Sequence, residues 1–198
     1  MKRLALVCLL LAALAGCTSP SSEPAAKPEP TELQTGRGAF QRLYVAARGW
    51  APDVRPYKLQ SGAVGDNKGR DGKAVVWNAS FTSPSQHSSK PYSWSGIDSP
   101  DAPGRGVNPG TMDAFTPGND FDVQFLKIDS DKAFEVAQKH GGEKVLQEKP
   151  GTPAIYSLEW NKSGNNLLWH VIYGNSRNDA TLVIDVDAST GEFVRKEK

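Results

Sequence analysis

Three histidines, a short acidic run and a group of glycines are the residues of this chain whose chemistry could go beyond packing. His87, His140 and His170 are its only imidazoles, and imidazole is the side chain best suited to move a proton near neutral pH or to ligate a transition metal. No two of them stand at ligand spacing, and no G-x-S-x-G elbow or other nucleophile signature accompanies them. A Ser-His-acid site would have to be composite, assembled by folding. The ordinary readings are local. His87 sits in a Ser-rich loop, His140 lies against the last carbonyls of a helix, where a cation is favoured, and His170 lies on the sheet face opposite its neighbours Trp169 and Val171.

Asp185, Asp187 and Ser189 have the oxygen spacing with which a calcium loop begins. The glycine needed at the sixth place comes one residue late, as Gly191, and the twelfth place is Lys196 in place of a bidentate glutamate. A hairpin corner accounts for the same residues, with Asp187 bonding back to the turn and Gly191 supplying positive φ. The run Gly104, Gly106, Gly110 follows no strand, contains Pro109 and lacks the Lys-Ser/Thr pair that would hold phosphate. The expectation is therefore no catalytic residue, no metal and no cofactor, hence no enzyme.

Asn78 and Asn161 fit the N-x-S/T pattern, but an outward polar strand position is the simpler role for Asn78. The tryptophans, Trp50, Trp77, Trp94, Trp160 and Trp169, occur largely at period two in strand-like runs, where core packing is the first account. A partner-binding groove is the second, and it would lie between two sheets, at Trp94 and Trp160.

The first sixteen residues stand apart. Lys2 and Arg3 precede an apolar run, Leu4 to Ala15, which at about 1.5 Å rise per residue is too short to span a bilayer. It reads as a signal peptide. The run ends Leu14-Ala15-Gly16-Cys17, which is similar to the lipobox of bacterial lipoproteins. The resemblance implies that Cys17 becomes the first mature residue and carries lipid; the alternative is a secreted protein with a chance cysteine. One acyl chain holds a membrane weakly and two hold it stably, at ~0.8 kcal/mol per buried CH₂, so the anchor would be permanent. Thr18 stands where an Asp would resemble an inner-membrane retention signal. That rule implies the outer membrane of a two-membrane bacterium, facing the periplasm.

With Cys8 removed and Cys17 lipidated, no thiol remains for a disulfide, a metal or a nucleophile. Removing Lys2 and Arg3 takes the formal charge from +1 to 1 − 2 = −1, so nothing suggests a nucleic-acid partner. Residues 17–34 are Pro-, Ser- and Glu-rich and read as a disordered tether.

The body begins with a helix. Phe40, Leu43, Tyr44 and Ala47 recur at helical spacing, with Thr35 as candidate cap and Gly49 and Pro52 as stops. Extended runs follow at 55–60, 73–83 and 91–96; in the second, Val75, Trp77, Ala79 and Phe81 share one face. Residues 98–119 are rich in proline and glycine and read as a loop. The pattern then repeats: an extended piece at 121–128, a helix capped by Asp129 that closes at Gly141-Gly142, and strands at 154–160, 167–173, 181–187 and 192–195.

The C-terminal stretch SDKAFEVAQKHGG, PAIYSLEW, LLWHVIYG and LVIDVDASTGEFV is similar to the PepSY-type domain of protease propeptides and bacterial envelope proteins. Its marks fall on Ala133 and Ala137, Tyr156, Trp169-Val171-Tyr173, and Asp187, Thr190, Gly191 and Glu192. The N-terminal unit matches in outline. The family pattern carries no catalytic residues, and it implies binding or inhibition.

The expected fold is α+β, two tandem units (35–97 and 120–198) that each pack one helix on a three- to four-stranded antiparallel sheet. At this size neither core is self-sufficient, so the units should dock. The expected function is a binding or regulatory module for a protein partner, such as an envelope protease or cell-wall enzyme. The alternative is a structural or assembly lipoprotein of the outer membrane.

Overall fold

The computed structural model describes residues 29–114 and 118–198; the segment read as a signal peptide, Cys17 and the expected tether as far as residue 28 lie outside the described residues. The tether's last residues are not free. Glu32 donates its N–H to the Gly96 carbonyl (2.8 Å), the Arg105 guanidinium bonds the Glu29 and Pro30 carbonyls, and the Arg42 guanidinium pairs with Glu32. Composition predicts disorder here because the segment has few apolar side chains to bury, whereas these contacts use backbone groups and ion pairs.

The N-terminal half runs β1 (Gln34–Thr35), α1 (Gly36–Trp50), β2 (Arg55–Gly62), β3 (Lys73–Ala74), β4 (Val76–Ser83), β5 (Ser88–Ser95), β6 (Gly106–Pro109) and β7 (Asp113–Ala114). A 3₁₀ turn (Val123–Phe125) leads to α2 (Ser130–Ala137), a π turn (Gln138–Gly142) and α3 (Glu143–Glu148). The chain ends in β8 (Ala154–Asn161), β9 (Asn166–Tyr173), β10 (Leu182–Asp187) and β11 (Phe193–Lys196). The proline- and glycine-rich 98–119 segment is thus more than a loop, because β6 and β7 pair with the outer edge of β5. Residues 121–128 form a turn and not a strand. Helix also resumes beyond Gly141-Gly142: Gly141 takes φ 119°, but Gly142 returns to helical angles and starts α3.

The strand order is β11-β10-β9-β8-β2-β4-β5-β6, antiparallel throughout, with β1 and β3 as a separate pair. The expected docking is more intimate than a side-by-side contact. β2 and β8 pair at Lys58–Gln60 with Ser157–Glu159, so strands from both halves form one continuous sheet. Both helices lie on one face over a single core that takes Leu43 and Ala47 from α1, Ala133 and Ala137 from α2, and strand residues from both halves.

Helix caps set how that layer sits. Thr35 caps α1 through Gly38 N–H, and Asp129 caps α2 through Ser130 N–H. Trp77 on β4 donates its indole N–H to the Gln34 carbonyl (2.9 Å), and Trp169 on β9 donates to the Ile128 carbonyl (2.9 Å). Each acceptor immediately precedes a helix cap. The two rings meet edge to face with centroids 6.4 Å apart. Between the helix starts, the Ser130 hydroxyl donates to the Gly72 carbonyl and accepts from Gly36 N–H, while Asp129 also accepts from Arg37 N–H. Gly36 is required there, since a Cβ would overlap the Trp169 ring.

Candidate functional site

Opposite the helices, one cross-strand row is polar on every strand. In register it reads Asn108, Ser93, Asn78, Gln60, Ser157, His170, Asp185 and Arg195, from β6 to β11. Period-two alternation puts these side chains on the helix-free face, where polar residues are expected. The two ends of the row differ. Asn78 is exposed, and Gln60, Ser93 and Asn108 are half-buried, whereas Ser157, His170 and Asp185 are buried.

The buried end is an ionic network. His170 Nδ1 donates to Asp185 Oδ1 (2.5 Å), and Arg195 Nε donates to Asp185 Oδ2 (2.8 Å). Glu197 accepts from Arg195 (3.0 Å) and, with both oxygens, from Arg177 (2.6 and 3.0 Å). The Arg177 Nη2 lies 3.4 Å from His170 Nδ1; because that nitrogen's proton points at Asp185, this is a close approach and not a bond. Burial would raise the Asp185 pKa, but the hydrogen bond and charge of His170, with the charge of Arg195, outweigh it and hold it below the usual carboxylate range.

Ligand atoms of His170, Asp185 and Glu197 lie within 4.8 Å of one another, close enough to hold a metal ion. Both carboxylates are already paired with guanidinium groups, so a cation would have to displace Arg177 and Arg195. Ser157, His170 and Asp185 stand in adjacent register like members of a catalytic triad, yet the Ser157 hydroxyl donates to Glu159 (2.8 Å). The other histidines stand elsewhere. His87 takes φ 48° in the β4–β5 turn, and His140, placed by sequence against helix carbonyls, instead stacks on Phe193 (3.9 Å, 8°). The π turn carries it off the end of the helix.

The corner reading of Asp187 holds. Its Oδ1 accepts from Ser189 and Thr190 N–H, its carbonyl accepts from Gly191 N–H, and Gly191 takes φ 80°. Burial would raise its pKa, but the Asn166 amide and the two backbone donors lower it.

The two tryptophans named for a partner groove part company. Trp94 is 1% exposed, in the core beneath Arg42, and offers a partner no surface. A strand aromatic declares that it packs, not against what. Trp160 is half-buried, lies tilted against Phe125 (centroids 5.2 Å, 54°) and lines a cleft of about 360 Å³ with Tyr57, Lys58, Asn119, Glu159 and Lys162. The cleft opens where β2 and β8 stop pairing, and Lys58 and Glu159 bridge it (3.1 Å). Sequence reasoning missed Arg177, Asp185, Arg195 and Glu197 as a set. The available signal was His170 and Asp185 at like parity in otherwise apolar strands.

At the sheet's outer edge, all four residues of β11 are exposed, including Phe193 (38%) and Val194 (40%).

No protein-family model and no curated protein matches the chain. Among solved structures, its fold is similar to a crystal structure described as a putative lipoprotein from Clostridium difficile 630. The TM-score is 0.53 at 11% identity, over 80% of this chain and 91% of that one. At that identity the likeness is one of α+β fold. Among the described residues no helix is long and apolar enough to cross a membrane.

Proposed function

We propose that this chain is a lipid-anchored protein of the bacterial envelope that acts by contact and not by turnover, as a binding or regulatory module for a protein partner. The reading places it at the outer membrane facing the periplasm, held by Cys17, with an envelope protease or cell-wall enzyme as the kind of partner. The body is read as two diverged copies of one helix-sheet unit, which the matched indole-to-carbonyl contacts of Trp77 and Trp169 support. The Leu14-Ala15-Gly16-Cys17 motif and the lipoprotein description of the structural neighbour support the anchor.

The observation that carries contact as the mode of action is β11. A short edge strand with Phe193 and Val194 exposed has backbone groups and apolar surface to offer an added strand. The buried His170 and the Ser157 hydroxyl turned to Glu159 support the non-catalytic part. The test places a photo-crosslinking residue at Val194, at Trp160 and, as control, at exposed Lys132 in the full-length protein in its native envelope. A discrete protein adduct from Val194 or Trp160, absent at Lys132, is expected; none from either position sinks the reading.

A further inference from the structure

A trough runs along the outer side of α1, away from both the polar row and β11. One wall is the helix, with Phe40, Tyr44 and Val45; the other is the turn at 121–126, with Val123 and Leu126. Its main part has a volume of about 430 Å³, within the range of small-molecule sites. Beyond Tyr44 and Val123 it continues into a second depression of about 240 Å³ that reaches Pro56 and Phe121.

The walls are fixed in place. Phe40 and Tyr44 stack at 5.6 Å and 11°, forming the floor. The opposite wall is tied down by Phe121 N–H to the Pro56 carbonyl and by Lys127 and Ile128 N–H to the Ala188 carbonyl. Val45 is 72% exposed and Val123 36%, so two exposed aliphatic side chains face one depression. Neither is needed for the core, and an apolar ligand would cover both.

The head of the trough is positively charged. The Arg37 guanidinium donates from Nη1 to the Lys127 carbonyl (3.0 Å), which holds it at the rim. Among the described residues no carboxylate pairs with it, and its Nε and Nη2 edge matches the two oxygens of a carboxylate. Asp129 stands near, but its Oδ1 is engaged by Arg37 N–H and Ser130 N–H.

We propose that the trough binds a long-chain carboxylate, a fatty-acid-like amphiphile, with its head on Arg37 and its tail along Phe40, Tyr44, Val45, Val123 and Leu126. The charge at one end and apolar walls beyond it select this occupant over a neutral lipid.

The test uses isolated membranes carrying the full-length protein, with a diazirine-bearing palmitate as probe and the fatty alcohol of the same chain as control. After irradiation, adducts are expected on 38–48 and 121–127, with the alcohol labelling far less. Arg37→Ala should weaken labelling about tenfold, the loss expected of a charge-assisted contact. Arg37→Lys should restore part of it. Val45→Asp changes an exposed residue and leaves folding intact, checked by an unchanged thermal midpoint, yet should abolish labelling of 38–48. Equal labelling by the alcohol, labelling indifferent to Val45→Asp, or adducts only outside these segments would each overturn the proposal.

Discussion

The two halves of the molecule agree on one face of the sheet and differ on the other. Beneath the helices, Trp77 and Trp169 make the same bond to the carbonyl before a helix cap, and both lie in one core. On the helix-free face the N-terminal half shows open amides and hydroxyls, Gln60, Asn78 and Ser93, while the C-terminal half seals His170 and Asp185 under two arginines. On the helix side a tryptophan fixes where α1 and α2 begin. On the other face no such matched contact recurs, and there the two halves differ.

Removing either indole strikes at the shared feature. Trp77→Ala and Trp169→Ala should each cost about 3–5 kcal/mol in urea unfolding, as large-to-small core changes do. Because the rings touch, the double variant should lose less than the sum of the two. Strictly additive losses would mean that the two halves are held independently.

The helix starts offer a sharper contrast. Ser130→Ala leaves Gly36 N–H and the Gly72 carbonyl without partners in a buried place, and should cost about 1–3 kcal/mol. Thr35→Ala removes a longer bond (3.4 Å) at a half-buried cap and should cost about 0.5 kcal/mol. Equal losses, read from the same unfolding curves, would show that Ser130 does not join the halves.

The last contrast distinguishes the two ends of the polar row. Asp185 has its folded pKa lowered, so its stabilising contribution is complete above about pH 4 and is lost as pH falls through the lower folded value. Asp185→Asn should start with a lower midpoint at neutral pH and fall less steeply between about pH 5 and pH 2. Asn78→Ala, which touches no titrating group of the network, should keep the acid slope of the parent.

Much of this fold is legible in the sequence where its causes are local. Alternation in 154–160 and 167–173 bounds β8 and β9 to within a residue, and Thr35, Asp129 and the Asp187–Gly191 corner act as their residue types predict. What escapes is non-local. The β2–β8 pairing joins strands about a hundred residues apart, and three register pairs leave no mark in either segment. β6 lies in a proline-rich stretch because an edge strand tolerates missing donors. The ionic network escapes because a polar residue in a strand looks the same whether it meets water or an arginine from a different segment, as Arg177 and Arg195 are. Trp94 was legible as packed but not as unreachable.

The fastening of Glu29, Pro30 and Glu32 to Arg105 and Gly96 has a mechanical consequence. A tug arriving from the amino-terminal side is borne first by that small clasp, on the flank where β5 and β6 meet, before any strain reaches Thr35 and the first helix. Such a load would be taken up by a guanidinium and one backbone hydrogen bond, leaving the hydrophobic interior undisturbed.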